Sequence, residues 1–229
     1  MKTRPDGRTT GELRPVHVRT GVQKDPAGSV EISFGDTVVL CAASISDKLP
    51  GWIAKAGHGW VTAEYAMLPG AVPGRAGRNP GGRAKEIQRL IGRSLRAAID
   101  LEALGQYAIT IDCDVLQADG GTRVASITGG YLALTQAIDK LLAEGKLKQS
   151  PLKHHVLAVS CAMVDGQAVL DPCYDEDHRA EVDMNFVFTA DGRLVEVQGT
   201  AEGEPFAQKD LLAMLELAKQ GIEQIKTAL

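Results

Sequence analysis

A glycine-rich turn at residues 119–123 has the composition of an anion-binding loop. Its sequence is Asp-Gly-Gly-Thr-Arg, and it joins a stretch of strand periodicity to one of helix periodicity. Two glycines let backbone N–H groups converge, and a helix N-terminus adds partial positive charge, so Gly121 and its neighbours can hold phosphate. Thr122 can donate its hydroxyl or cap the helix, and the planar guanidinium of Arg123 can bind the anion. Gly-Gly-Thr by itself more often marks a turn that needs glycine only for its dihedral angles. The arginine that follows it, Arg123, favours a phosphate site instead.

Carboxylates are concentrated between residues 171 and 183, a segment that contains six acidic residues and one arginine. They are Asp171, Asp175, Glu176, Asp177, Glu181 and Asp183. Oxygen ligands suit Mg²⁺ or Mn²⁺, which take one or two carboxylates beside substrate phosphates. A solvated acidic loop explains the spacing equally well, but Asp183 falls inside a predicted strand, where an acid needs a reason. The nearby His178, like His154 and His155, has no metal-ligand spacing and is expected in an exposed loop.

Positive charge is concentrated from residue 70 to residue 96, where seven basic residues accompany a single acid. Arg75 and Arg78 lie in a Gly/Pro-rich loop, where positive charge is suited to RNA phosphates. Arg89, Arg93 and Arg96 are spaced for one helix face. For this helical stripe, a solvated face or ion pairs with the acidic half are the better explanation.

Composition and charge limit the class of protein. The chain has 229 residues, 44% of them apolar and 24% charged, which indicates a folded domain. Aromatic residues make up only 4% and argue against an aromatic RNA-binding sheet. Residues 1–100 carry a net charge of +6 and residues 101–229 one of −10. No stretch resembles a signal peptide or a membrane span, so we expect a cytoplasmic protein with no membrane partner, whose four cysteines are reduced core thiols.

Hydrophobic periodicity predicts strands and helices in two similar runs. In the first run, strands are predicted at 29–34, 37–44, 60–65 and 107–116, with helices over 87–101 and from 127 to near 145. In the second, strands are predicted at 155–163, 167–170, 181–189 and 193–198, followed by a helix over 211–225. Gly35-Asp36 and Asp191-Gly192 have the composition of hairpin turns.

Because strands followed by a helix occur twice, the sequence predicts an α+β protein made of two related units packed together. A polar stretch with Pro151 separates them. We expect one domain over residues 1–145, with the phosphate loop and the basic segment, and another over 155–229, with the acidic cluster and the last helix.

Longer motifs resemble those of the ribonuclease PH family, which are phosphate-dependent 3′→5′ exoribonucleases that trim tRNA precursors. The resemblance covers almost the whole chain. Its motifs are Arg4-Pro-Asp-Gly-Arg8, Glu12-Leu-Arg-Pro15, Gly59-Trp-Val-Thr-Ala-Glu-Tyr65, Met67-Leu-Pro69, Gly82-Arg83, Glu86-Ile-Gln-Arg-Leu-Ile-Gly-Arg93, Ile111-Asp-Cys-Asp-Val-Leu-Gln-Ala-Asp-Gly-Gly-Thr-Arg123, Ala180-Glu-Val-Asp-Met-Asn185 and Val197-Gln-Gly-Thr200.

The resemblance implies a fold, a reaction and a site. The fold is the ribosomal protein S5 domain 2-like β-α unit, duplicated within the chain, and the assembly is a homohexameric trimer of dimers. Inorganic phosphate is the co-substrate, held by Arg83, Gly121, Thr122 and Arg123. Asp177 and Asp183 hold Mg²⁺ or Mn²⁺ or assist proton transfer, so Asp177, Asp183 and Arg123 are the expected catalytic residues.

The chain departs from the family in two places. The segment between Pro69 and Arg83 is shorter and retains only Arg75 and Arg78, which predicts a weaker hold on tRNA but not on short RNA. Val124 replaces a second threonine, and we expect this loss of a hydroxyl near the phosphate to be tolerated.

Two other functions are weighed against the phosphorolytic enzyme. One is a non-catalytic, RNA-binding ring subunit of an exosome-like assembly, although such subunits typically lose the phosphate arginine or the acids that this chain retains. The other is a small-molecule kinase on a related fold, which the missing long glycine-rich ATP loop disfavours.

Overall fold

A computed structural model of the chain describes residues 4–53, 55–79 and 81–229. The first half contains strands β1 (Val16–Thr20), β2 (Gly28–Phe34), β3 (Thr37–Ser46), β4 (Trp60–Met67) and β5 (Ala108–Gln117), with helices α1 (Gly82–Ala97), α2 (Leu101–Leu104) and α3 (Thr122–Ala143). The second half contains β6 (Val156–Val164), β7 (Gln167–Leu170), β8 (Val182–Thr189) and β9 (Leu194–Ala201), with helices α4 (Tyr174–Asp177) and α5 (Gln208–Ala228).

Each half forms one sheet. The first sheet has the order β1-β2-β3-β5-β4, in which only the β4–β5 pair is parallel. The second has the order β7-β6-β8-β9 and is antiparallel throughout. The predicted α+β fold of two related units is therefore confirmed, and both hairpin turns lie where they were predicted.

Helix α3 joins the two halves because it packs against both sheets. Gly129 allows its approach to β2, since a methyl group there would lie 2.6 Å from Cγ2 of Ile32. On its other side, Thr128 Oγ1 accepts a hydrogen bond from the backbone N–H of Ala158 in β6. Buried side chains of both halves form one continuous hydrophobic cluster. The position of one half is therefore fixed by the packing of the other.

Several elements differ from the prediction. Strand β1 was not predicted, because only Val16 and Val18 alternate in this five-residue edge strand, which forms by pairing with β2. The predicted helix over 87–101 ends at Ala97, and α2 begins separately because the side chain of Asp100 caps it. The one-turn helix α4 is too short to leave a periodic pattern.

The four cysteines are buried free thiols, as predicted. Among the described residues, no helix combines the length and apolar character needed to cross a bilayer.

Candidate active site

A cleft of about 680 Å³ lies between the two halves. The first half contributes the N-terminus of α1, the 118–121 turn and the start of α3, and the second contributes the face of its sheet and α4. The charged residues that line the cleft are Arg83, Glu86, Arg123, Asp177, Asp183 and Glu202. The cleft therefore brings basic side chains of the first half together with acidic side chains of the second half.

The glycine turn adopts a conformation that suits an anion. Gly120 and Gly121 have φ angles of +75° and +69°, which other residues rarely adopt. A methyl group on Gly120 would lie 2.5 Å from the carbonyl oxygen of Pro172, so a larger residue is also excluded by space. Gly121 is the N-cap of α3 and has no side chain to accept from the first-turn N–H groups. These donors are available to a bound anion.

Thr122 is the first residue of α3 and Gly121 is the N-cap, so of the two roles considered for Thr122 the structure excludes helix capping. Its hydroxyl forms a 2.9 Å hydrogen bond with the hydroxyl of Tyr65. Val124 is buried in the core and packs beside the turn, since a methyl group on Gly121 would lie 3.5 Å from its Cγ2. The expected tolerance of valine at this position stays a prediction. Thr122 lines the cleft, and its hydroxyl is oriented by Tyr65.

Buried polar contacts hold the turn in place. Thr37 Oγ1 donates to the carbonyl oxygen of Gly120 at 2.6 Å and accepts from the N–H of Asp119 at 2.9 Å. Arg14 donates to the carbonyl oxygen of Asp119 and, through Nε and Nη2, to the two carboxylate oxygens of Asp171 at 2.9 and 2.6 Å. Because Asp171 belongs to the second half and is fully buried, Arg14 ties the turn to that half.

The acidic wall consists of Asp177 at the end of α4 and Asp183 in β8. Burial raises the pKa of Asp177. Burial, and then the negative charge of Asp177, raise the pKa of Asp183 to about 6, although Arg123 and Arg83 oppose the shift. The two carboxylates are therefore close enough to repel each other in a partly desolvated site.

The basic wall consists of Arg83 and Arg123. Nη1 of Arg123 lies 3.5 Å from Oδ2 of Asp183, and its Nη2 lies 3.3 Å from Oε2 of Glu86. Arg83 is exposed at the start of α1, and its positive charge partly opposes the rise in the pKa of both aspartates. The residues predicted for phosphate and metal binding thus converge on one cleft.

Two sequence models match the chain, one described as 3′ exoribonuclease family, domain 1, over residues 12–138, and the other as domain 2 of that family, over residues 154–221. The chain belongs to the 3′ exoribonuclease family. Together the two matches include β1 to β5, most of α3 and β6 to β9, and so every described residue that lines the cleft.

Solved structures with the same ribonuclease PH fold include one named Rrp46 and two exosome chains. Rice (Oryza sativa) Rrp46 is 21% identical with a TM-score of 0.80, and the match covers 99% of this chain and 100% of that one. A chain of the Archaeoglobus fulgidus exosome with RNA bound to the active site is 20% identical with a TM-score of 0.84, covering 98% and 92%. A chain of an archaeal exosome core is 19% identical with a TM-score of 0.79, covering 98% and 90%. At this identity the likenesses show the fold.

The two aspartates have the chemistry of a small metal site. Within the described ranges, no group of three or more His, Cys, Asp and Glu side chains is arranged to hold a metal ion. Mg²⁺ usually binds one or two carboxylates and completes its shell with water and substrate phosphate. Because Asp177 and Asp183 repel each other, a divalent cation between them would be favourable. The donor set of this family member therefore fits Mg²⁺ or Mn²⁺ bound together with a phosphate.

The arginines predicted to bind RNA, Arg75 and Arg78, are both exposed in the segment before α1. Neither is among the described residues that line the cleft itself. Arg78 lines an adjoining groove of about 170 Å³ that it shares with Tyr65 and Arg83, and Arg83 also lines the cleft. The structure thus places Arg78 beside the cleft.

The helical arginine stripe forms contacts within the chain. Nε of Arg93 donates to Oε2 of Glu196 in β9 at 3.1 Å, which is an ion pair with the acidic half. The guanidinium of Arg96 lies 4.5 Å from the ring centre of Trp60, and Arg89 is exposed. The interpretation of this stripe as ion-pairing and solvated holds for Arg93 and Arg89.

Several residues of the cleft were not predicted from the sequence. Three buried side-chain polar atoms lack a hydrogen-bond partner among the described residues, and all three belong to cleft residues: Arg123 Nε, Ser160 Oγ and Gln198 Oε1. His178 is exposed as expected, but it also lines the cleft and stacks on Tyr174 with ring centres 5.8 Å apart. A serine inside the apolar sequence of β6 is the signal that could have indicated Ser160.

Proposed function

We propose that this protein is a phosphate-dependent 3′→5′ exoribonuclease that releases nucleoside diphosphates from RNA. The observation that carries the proposal is that Arg83, Arg123 and the N-terminus of α3 face Asp177 and Asp183 across one cleft. Cations and free N–H groups suit inorganic phosphate, and the carboxylates suit a divalent ion beside the RNA phosphodiester.

The reaction brings two anions together, so the cleft must first offset their repulsion. Two unit charges about 4 Å apart repel by roughly 4 kcal/mol at an effective dielectric constant near 20. Arg83 and Arg123 supply fixed positive charge on the side of the turn. This arrangement lowers the free energy of binding inorganic phosphate next to the terminal phosphodiester before any bond changes.

Phosphate itself is the attacking group, so no side-chain nucleophile is required. One phosphate oxygen attacks the terminal phosphorus, the bond to the 3′-oxygen of the shortened RNA breaks, and the last nucleotide leaves as a diphosphate. Arg123 and the first-turn N–H groups of α3 orient phosphate for in-line attack. Because one phosphodiester-type linkage replaces another of similar energy, the enzyme also extends RNA from nucleoside diphosphates.

Asp177 and Asp183 would hold Mg²⁺ or Mn²⁺, which when bound neutralises charge that develops on the phosphoryl oxygens. The carboxyl of Asp183, with a pKa of about 6, is alternatively suited to supply the proton that the leaving 3′-oxygen takes up. The structure brings this carboxyl to within 3.5 Å of Arg123. Both roles require Asp183 at the position that it occupies.

We further propose single-stranded 3′ ends of RNA, including those of tRNA precursors, as substrates and a cytoplasmic homohexamer as the assembly. Arg75 and Arg78 are the residues that would hold RNA outside the cleft, because both are exposed and Arg78 shares a groove with Arg83. The resemblance of the motifs to ribonuclease PH supports the tRNA substrate and the hexamer.

A non-catalytic, RNA-binding ring subunit of an exosome-like assembly is the second candidate. The names of the similar solved structures favour it over a tRNA-trimming enzyme, since they refer to Rrp46 and to archaeal exosomes. The charged residues that the cleft retains favour the enzyme instead, because a subunit that only binds RNA has no use for a repelling pair of aspartates.

An assay with and without inorganic phosphate separates the candidates. Purified protein is incubated with Mg²⁺ and a 3′-single-stranded RNA, and the products are resolved by chromatography. The enzyme is expected to release nucleoside diphosphates only when phosphate is present, and the Asp183→Asn variant is expected to release none. RNA that is bound but left intact would support the ring subunit, and nucleoside monophosphates would indicate a hydrolytic nuclease. Comparing a tRNA precursor with a short oligonucleotide then tests the substrate.

A further inference from the structure

Strand β6 contains a polar side chain that its surroundings do not explain. The strand is buried along its whole length and reads Val-Leu-Ala-Val-Ser-Cys-Ala-Met-Val. Ser160 at its centre is 3% exposed, and its hydroxyl has no hydrogen-bond partner in the part of the chain that the structure describes. Because a buried hydroxyl without a partner destabilises the folded protein, an alanine would be the more stable residue here. Ser160 therefore indicates a partner that arrives from outside the chain.

The hydroxyl belongs to the face of the second sheet that forms the cleft. Ser160 pairs with Asn185 in β8, and Asn185 pairs with Gln198 in β9, so their side chains share a face. All three residues line the cleft. Asp183 is two residues along β8 from Asn185, on the same face, at a spacing of roughly 7 Å. Ser160 therefore lies in the row of side chains next to the acidic wall.

The glycine turn lies directly beside Ser160. A methyl group built on Gly121 would lie 3.6 Å from Oγ of Ser160, so the hydroxyl adjoins the backbone of the N-cap of α3. Nε of Arg123, two residues further on, is the other buried donor of the cleft without a partner. Two unpartnered donors, one from each half, thus adjoin a helix N-terminus. Gln198 Oε1 is an acceptor, so an anion would not satisfy it.

We propose that the hydroxyl of Ser160 donates a hydrogen bond to inorganic phosphate held at the N-terminus of α3. This makes Ser160 a phosphate-binding residue that the second half supplies to a cradle formed mainly by the first, and it rests on the proposed function. The partner is the free ion because Ser160 is at the buried floor of the cleft, which a small ion reaches more readily than a phosphodiester carrying two riboses.

The test measures phosphate binding and turnover separately. Wild type, Ser160→Ala and Ser160→Cys are compared with Ser94→Ala, whose serine is equally buried but donates to the carbonyl oxygen of Leu90 within α1. Cysteine nearly keeps the volume of serine but is a weak donor. Protection against thermal unfolding is titrated with inorganic phosphate in the absence of RNA, and KM values are measured for phosphate and for RNA.

We expect the phosphate concentration at half-maximal protection to rise about tenfold in both Ser160 variants, the scale of a hydrogen bond to a charged group. KM for phosphate should rise in parallel while KM for RNA and the Ser94→Ala values stay unchanged. A Ser160→Cys variant that binds phosphate like wild type would show that only volume matters, and would overturn the assignment. Equal protection of all variants, as expected if a buried water is the partner, would also overturn it.

The same titration distinguishes a failure of the proposed function from a failure of this inference. If wild type is neither protected by phosphate nor releases nucleoside diphosphates, the phosphorolytic function is wrong and the role of Ser160 is lost with it. If wild type is protected and Ser160→Ala has the same half-saturation, phosphorolysis stands and only the Ser160 assignment is wrong.

Discussion

The two walls of the cleft use different structural means to present opposite charges. On the first half, a tight glycine turn and the start of a 22-residue helix present N–H groups, with Arg83 and Arg123 on either side. On the second half, a sheet face and a single helical turn present Asp183 and Asp177. The helix N-terminus favours an anion by itself, whereas the sheet contributes no such field, so the acidic wall depends entirely on its side chains.

The walls also differ in how far their charges are satisfied. Arg14 and Thr37 hold the turn through buried hydrogen bonds, and α4 is anchored by the bidentate pair of Arg4 with Glu176, at 2.7 and 2.8 Å. Asp177 and Asp183 have raised pKa values instead. Both walls are therefore anchored by buried hydrogen bonds, but the acidic wall also retains a charge repulsion that a bound cation would relieve.

The largest expected effect is that of Asp183→Asn, which removes one of the two charges of the acidic wall but keeps its shape. Phosphorolysis should fall by about 10³-fold or more, at the upper end of what one preorganised charged group contributes. Because the ionised carboxylate is disfavoured in this site, the same variant should be more stable at pH 7 in chelator, by on the order of 2 kcal/mol. Product release and urea unfolding are the two measurements.

Asp112→Asn is the matched control for Asp183→Asn. Burial, with the charges of Asp114 and Glu64, raises the pKa of Asp112 on the first sheet, outside the cleft. This variant should gain stability without losing activity. A loss of activity equal to that of Asp183→Asn would mean that the acidic wall has no special role.

The next effect is that of Arg123→Ala on the basic wall. Turnover should fall by about 10² to 10³, the scale for one preorganised donor to an anion, and the variant should bind phosphate less tightly. Arg93→Ala is the control, since Arg93 pairs with Glu196 at the surface of α1 and not in the cleft. Near-normal phosphorolysis by Arg123→Ala would exclude the assigned role.

The pH dependence should separate activity from stability. The pKa of Asp183 is raised from its ordinary value near 3.8 to about 6, so between these values the native state binds a proton that the unfolded state has released. Stability in chelator should therefore fall as pH rises towards 6. Activity should decline by about tenfold per unit below pH 6 because Asp183 would hold the metal in its ionised form, whereas activity that falls above pH 6 would indicate the proton-donor role instead.

Unfolding and rate profiles of wild type and Asp183→Asn from pH 4.5 to 7.5, roughly the range over which such a carboxyl titrates, provide the comparison. The difference in unfolding free energy between the two proteins should grow as the pH rises. A difference that is constant across this range would show that Asp183 titrates normally.

The smallest expected effect is that of the loop arginines. Arg78→Ala should weaken RNA binding a few-fold and make the slope of log affinity against log salt shallower by about 0.7, the value for one phosphate contact on single-stranded RNA. Arg75→Ala should have the same or a smaller effect, because Arg75 is not among the described residues that line the groove of Arg78 and Arg83. Arg19→Ala should leave the slope unchanged, because Arg19 is an exposed arginine of β1 that pairs with Glu31 of β2.

Local patterns in the sequence determined most of the elements and the chemical types in the site. Alternation predicted β2, β3 and β5, and glycine-containing pairs marked the hairpins, because these signals depend only on neighbouring residues. The Gly-Gly-Thr-Arg turn and the acidic cluster over 171–183 could be recognised for the same reason, whereas the choice of Asp177 and Asp183 within that cluster came from the resemblance to a family. Short-range signals failed for β1 and α4, which exist through contacts with distant segments.

Only the tertiary structure decided how these residues act together. Arg123 faces Asp183 because α3 packs between two sheets, and no spacing along the chain encodes that approach. Likewise, Thr122 bonds Tyr65, 57 positions away, in place of capping its helix. The pKa of Asp183 and the unpartnered hydroxyl of Ser160 are properties of burial, which depends on everything packed around a group and not on the residue itself.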